Sequence, residues 1–187
     1  KKDFWARGDG WVLAGLAKVL KDLPKEFKHY DFFVDKYVRM AKAVADIQQP
    51  GGYWTRSMMD PEHAPGPETS GTAFFTYGLL WGVNNGYLDE ATYMPVIKKA
   101  WNYLKKTALQ KDGRVGYVQP IGEKAIPGQI VDANSTANFG VGAFLLAACE
   151  YVRYLEAPVN KDRAYWANLL YNMAKPVLSN MAEGNLQ

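Results

Sequence analysis

The stretch Ala73-Phe74-Phe75-Thr76-Tyr77-Gly78-Leu79-Leu80-Trp81-Gly82 carries the architecture of this chain. It lies inside a helical span of about 69–85, closed by Gly86 in the position expected just past a helix end. The span has no polar stripe, and a helix that is apolar on every side has to be enclosed by protein. Its small residues let neighbouring helices approach closely. Two other spans share this composition. One covers about 8–23 and stops at Pro24; the other covers about 135–155 and runs through Phe144-Leu145-Leu146-Ala147-Ala148-Cys149.

Between and after them the periodicity predicts helices of a different kind. The span of about 31–49 aligns Phe33, Tyr37, Met40, Ala41, Val44 and Ile47 on one face, puts Lys36 and Lys42 on the other, and ends at Pro50-Gly51-Gly52. A fourth helix begins at Asp89, a good N-cap. It buries Tyr93, Ile97, Ala100, Trp101 and Leu104 and turns Lys98, Lys99, Lys105 and Lys106 outward. A sixth, after Asn160, aligns Tyr165, Leu169, Leu170, Met173 and Val177 and is bent by Pro176. The apolar helices start near Gly8, Ser70 and Ser135, roughly 60 to 65 residues apart, which reads as a repeated helical hairpin. An inner row of apolar staves wrapped by an outer row of amphipathic helices satisfies both patterns. A TPR-like solenoid does not, because its repeat is about 34 residues. The expected fold is therefore all-α, an (α/α) toroid of about three hairpins in a single domain over residues 1–187. A short β-hairpin is expected where Asp112-Gly113 precedes Arg114-Val115-Gly116-Tyr117-Val118.

Composition narrows the function. The aromatic content of 14% serves either core packing or stacking on sugar rings. A net charge of +3 without any block of like charge gives no nucleic-acid footprint, and no apolar run reaches membrane-spanning length. His29 and His63 stand apart, without metal-ligand spacing, and neither a phosphate loop nor a nucleophile elbow occurs, so no metal and no cofactor is expected. Cys149 reads as a buried small hydrophobe. The cellular compartment stays open.

If the apolar staves are parallel, their amino ends meet at one mouth. The segments arriving there are Trp5-Ala6-Arg7-Gly8-Asp9-Gly10-Trp11, Glu68-Thr69-Ser70-Gly71-Thr72 and Asp132-Ala133-Asn134-Ser135-Thr136-Ala137-Asn138. Converging helix N-termini favour an anionic ligand, and the long loops 50–67 and 119–131 lead into two of these segments. Asp9, Thr69, Ser70, Asp132 and Ser135 read equally as helix caps. Arg7 between tryptophans is either a structural cation–π residue or a clamp that grips a carboxylate while the indoles stack on sugar faces. Glycines at 8 and 10 imply that something approaches the backbone closely, which favours the clamp.

Trp5-Ala6-Arg7-Gly8-Asp9-Gly10-Trp11 resembles the W-x-R-x-x-G-W motif of glycoside hydrolase family 105, the unsaturated rhamnogalacturonyl hydrolases, and the W-x-R-G-x-x-W of the related family 88 unsaturated glucuronyl hydrolases. Glu68-Thr69-Ser70-Gly71-Thr72-Ala73 with Tyr77-Gly78, and Gly140-Val141-Gly142-Ala143-Phe144-Leu145-Leu146-Ala147 with Glu150, look like the same families in the same order. The resemblance implies a six-hairpin (α/α) barrel of which this chain is the C-terminal part. It implies an oligosaccharide ending in unsaturated uronic acid as ligand, with Trp5, Arg7 and Trp11 lining the pocket and Asp9, Thr69 and Ser70 beside them. In the family an aspartate upstream of the W-x-R motif protonates the C4=C5 enol ether. Only four residues, Lys1 to Phe4, precede Trp5 here, so the catalytic aspartate is expected upstream of Lys1 and absent from the chain. Asp9, Glu68 and Asp132 are poor substitutes, because a helix N-terminus lowers a carboxyl pKa. The alternative is a non-catalytic carbohydrate-binding or scaffold domain; a sugar epimerase or polysaccharide lyase on the same toroid is a third reading. A half-ring exposes an apolar flank, so self-association or coverage by an N-terminal half is also expected.

Overall fold

A computed structural model describes residues 4–156 and residues 171, 172, 174–176 and 179. The helices are α1 (Ala6–Asp22), α2 (Tyr30–Asp46), α3 (Thr69–Asn84), α4 (Glu90–Tyr103), extended by a π-helical turn (Leu104–Ala108), and α5 (Asn138–Leu155). One expectation falls outside the described residues: the apolar stripe of the sixth helix, Tyr165, Leu169, Leu170, Met173 and Val177.

α3 is the hub. Every residue from Thr69 to Gly82 is buried, as its all-round apolar sequence requires. α1 packs on one side of it and α5 on the other, with α2 behind α1 and α4 behind α3. A Cβ on Gly71 would lie 2.7 Å from the backbone of Ala6, and one on Gly78 would lie 2.8 Å from Leu13. The two contacts advance by equal steps along α1 and α3, so these helices run parallel and in register. Near the far end Asn84 Nδ2 donates to Glu150 Oε1 (2.7 Å) and to the Glu150 carbonyl. At the near end Thr69 N–H donates to the Tyr117 carbonyl and Val118 N–H to that of Ser135, which brings the segment leading into α5 beside the start of α3. The three staves thus share one amino-terminal end.

Aromatic side chains fasten the outer helices to the staves. Trp101 of α4 stacks on Phe144 and Tyr151 of α5, with ring centroids 5.9 and 5.0 Å apart. Tyr37 of α2 meets Trp81 edge-on and donates its hydroxyl proton to the Gly78 carbonyl at 2.6 Å. Trp54, Trp81 and Trp101 are all buried, so most of the aromatic content serves packing.

Several details depart from expectation. No β-hairpin forms: Leu109 and Val115 make one isolated bridge and no ladder follows. The next residues turn elsewhere. Tyr117 adopts φ 59°, and Tyr117 and Val118 give their N–H groups to the carbonyls of Asp132 and Ser135, so a second strand has no partner. α5 starts at Asn138 rather than Ser135, because Asp132 accepts the N–H groups of Asn134 (2.8 Å) and Ser135 (3.1 Å) and closes a turn of its own. Cys149 is exposed, since α5 packs on α3 through its other face.

Candidate functional site

The shared amino end of the staves is built around four buried polar side chains: Arg7, Arg56, Glu68 and Gln119. Arg7 lies in the first turn of α1 and is only 4% exposed. Its guanidinium sits between the rings of Trp5 (4.7 Å) and Phe139 (4.4 Å), and its two terminal nitrogens donate to the carbonyls of Gln119 (2.5 Å) and Pro120 (2.8 Å). Phe139 opens α5, so Arg7 ties the starts of two staves together. The clamp expected for a ligand carboxylate is, in this structure, closed on backbone carbonyls.

Glu68 is the N-cap of α3 and has no exposed surface. Its carboxylate accepts from Ser70 N–H, Gly71 N–H (2.6 Å), the Ser70 hydroxyl and Gln119 N–H (3.1 Å). Burial lowers the pKa of Arg7 and of Arg56 from the ordinary arginine value, and the Glu68 charge opposes that shift for both. Counted over these buried groups, two guanidiniums face one carboxylate. The remaining positive charge and three helix N-termini make this end attractive to an anion.

Gln119, which carries no motif, joins the whole assembly. Its side-chain oxygen accepts the Trp5 indole N–H (2.8 Å), while its amide nitrogen donates to the Lys124 carbonyl (2.9 Å) and to Gln129 Oε1 (3.0 Å). Arg56 donates to the Gln129 and Pro65 carbonyls, both at 2.8 Å. Segment 119–129 is therefore pinned at both ends. Three buried polar atoms near this end, Arg56 Nε, Ser57 Oγ and Thr136 Oγ1, have no hydrogen-bond partner among the described residues. Such atoms ordinarily meet water or a bound group.

The sequence-expected residues separate into groups. Trp5 and Arg7 stand together, and Trp11, one turn further along the same face of α1, lies against Phe74 (4.4 Å) with half its surface open. Thr69 and Ser70 are wholly buried: Thr69 Oγ1 bonds the Tyr103 hydroxyl (2.7 Å), and Ser70 bonds Glu68. Burial raises the Tyr103 phenol far above its usual range, with the Thr69 bond opposing. Asp9 points away from Arg7, about 200° around the helix. It borders a cavity of about 340 Å³ against α2, lined by Met40, Val44, Ile47 and Met58. Desolvation there raises its pKa, the reverse of the lowering expected from a helix N-terminus. Gly8 and Gly10 also have an internal explanation. A Cβ on Gly8 would meet the Trp5 ring at 2.8 Å, and one on Gly10 would meet Phe74 Cβ at 3.0 Å. Among the described residues no three His, Cys, Asp or Glu side chains gather in a way that could hold a metal ion.

Comparison with known proteins bears on the family and the fold. The chain is 45% identical over 156 residues to the unsaturated 3S-rhamnoglycuronyl hydrolase of Formosa agariphila, a match that takes in 83% of this chain and 40% of that protein. It thus spans about two fifths of the length of that relative. A solved structure described as a polysaccharide lyase is 74% identical and superposes with a TM-score of 0.81, covering 86% of this chain and 45% of its own. A possible family 105 member from Salmonella enterica, 25% identical, superposes at 0.70 over 80% of this chain and 40% of its own, as part of a helical toroid. The sequence model of Glycosyl Hydrolase Family 88 matches residues 1–155, and the chain belongs to that family.

Proposed function

We propose that this region forms the sugar-acid-binding side of a hydrolase that removes unsaturated uronic acid from the end of an oligosaccharide. The observation that carries the reading is the assembly of Trp5, Arg7, Arg56, Gln119 and Glu68 at the common start of three staves, where two buried guanidiniums stand against one carboxylate. In it Trp5 and Trp11 offer indole faces to sugar rings. Arg7 supplies positive potential and holds the mouth together. Thr69 and Ser70 act from behind, through Tyr103 and Glu68. The Formosa relative, an unsaturated 3S-rhamnoglycuronyl hydrolase, supports the substrate class.

The reaction consistent with such a ligand adds a proton to C4 of the C4=C5 enol ether and water to C5. The resulting hemiketal then opens and releases the attached sugar. We assign no residue of this chain as the proton donor. Glu68 is spent on capping α3, and Asp9 faces an apolar cavity on the far side of α1 from Arg7. The family resemblance puts the donor aspartate ahead of the W-x-R motif, and this chain takes in only 40% of the Formosa relative. The purified chain is therefore expected to bind an unsaturated uronyl disaccharide without consuming it. The double-bond absorbance should stay constant, and Arg7→Ala should abolish binding; a falling absorbance would show that the chain contains its own acid.

A second reading rests on the 74% identical structure described as a polysaccharide lyase. Elimination creates the same double bond that hydration removes. Absorbance rising on an intact uronate polymer supports that reading, and absorbance falling on an unsaturated disaccharide supports hydrolysis. Binding without either change, in a longer chain as well as this one, leaves the non-catalytic binding domain.

A further inference from the structure

Segment 119–129 leaves the mouth and returns to it, with its ends tied together by Gln119 Nε2 donating to Gln129 Oε1 at 3.0 Å. A compact loop whose ends are close and pinned commonly carries function. Between the ties Ala125 is buried and the rest is open: Ile121 is 90% exposed, and Glu123, Lys124 and Pro127 lie at the surface. Gln119 itself is completely buried, and every polar atom of its side chain is used. Its carbonyl accepts from Arg7, its N–H donates to Glu68, and its side chain holds both the Trp5 indole and the returning end of the loop. One residue thus fixes the ring on which a sugar would stack and the wall beside it. Structural caps do not require that coincidence. A Gln that only closed the loop would have no need of Trp5, and a Gln that only satisfied the indole would have no need of Gln129.

We propose that Gln119 is the positioning residue of the sugar site, setting the plane of the Trp5 indole against the 119–129 loop so that the loop's exposed residues read the sugar attached to the uronate. The proposal rests on the reading of the mouth as a uronate site.

The test uses the 187-residue chain, labelled with nitrogen-15, and an unsaturated uronyl disaccharide followed by calorimetry. In the unaltered chain the Trp5 indole proton exchanges slowly with solvent. Gln119→Met removes the acceptor with little change of volume; the Trp5 indole then exchanges fast, the indoles of Trp81 and Trp101 do not change, and affinity falls about tenfold, the equivalent of about one good hydrogen bond. Gln129→Leu leaves the indole bonded and removes only the tie from Gln119 to the returning end of the loop, whose backbone stays held by Arg56, so its loss is confined to the disaccharide and is absent for the uronic acid monosaccharide. Gln119→Glu keeps an acceptor for Trp5 and restores slow exchange of its indole. If Gln119→Met does not fold, Trp5→Phe takes its place: it keeps a stacking face, lacks the N–H, and loses affinity several-fold. Unchanged affinity in a folded Gln119→Met or in Trp5→Phe overturns the proposal while leaving the uronate site intact. Failure of the unaltered chain to bind the disaccharide brings down the site itself, and the positioning role with it.

Discussion

α3 and α1 are both apolar staves of the same row, yet they end in different surroundings. α3 is covered on every side from Thr69 to Gly82, whereas α1 buries Leu13, Ala14, Ala17 and Leu20 and leaves Trp11, Val12 and Val19 about half open. An all-round apolar sequence therefore reports the environment a helix is built for, and among the described residues only the middle stave meets it in full. Phe4, Met59 and the Met-lined cavity beside Asp9 continue the open apolar strip toward α2.

Four substitutions probe this contrast. The largest effect belongs to the enclosed stave: Phe75→Ala should lower unfolding free energy by about 3–5 kcal/mol, read from the denaturant midpoint. Next comes the seam between the staves. Gly71→Ala forces a Cβ to within 2.7 Å of the Ala6 backbone, and overpacking of this kind should cost about 1–3 kcal/mol. A smaller effect follows from Asp9, whose folded pKa is raised by desolvation. The raised value means that its carboxylate opposes folding. That penalty is absent below the unfolded-state pKa and grows as pH rises through the folded one. Asp9→Asn should therefore be more stable than the parent at neutral pH, with the gap closing in acid; a gap that widens in acid contradicts the desolvation account. Val12→Lys, on the open flank, should alter stability by no more than about 0.5 kcal/mol. Its effect should appear instead in light scattering, as a smaller increase of mass with concentration. A parent chain that stays monomeric at high micromolar concentration rules out self-association through this flank.

How much of this could be read from the sequence depended on whether the signal was local. The enclosure of α3, the N-cap at Asp89 and the glycine after α3 were legible because each is written within a few consecutive residues: Thr92 N–H bonds Asp89 at 2.8 Å, and Gly86 has φ 74°. The gathering of Trp5 and Arg7 with the start of α3 followed from the parallel staves. The start of α5 was misplaced by three residues because Asp132 and Ser135 satisfy a turn with the same atoms that cap a helix. Cys149 was misjudged because an apolar helix does not say which of its faces finds a neighbour. Gln119 was invisible for another reason. Its partners, Trp5, Arg7 and Glu68, lie 51 to 114 positions away, and no periodicity connects them.

The most direct test of the uronate mouth is an indole-resolved titration of the chain with an unsaturated uronyl disaccharide and with its uncharged methyl ester. The acid should bind more tightly, lose affinity as salt rises, and shift the resonances of Trp5 and Trp11 while those of Trp81 and Trp101 stay still. Equal binding of the ester, or shifts confined to Trp81 and Trp101, would contradict a charged sugar seated where the three staves begin.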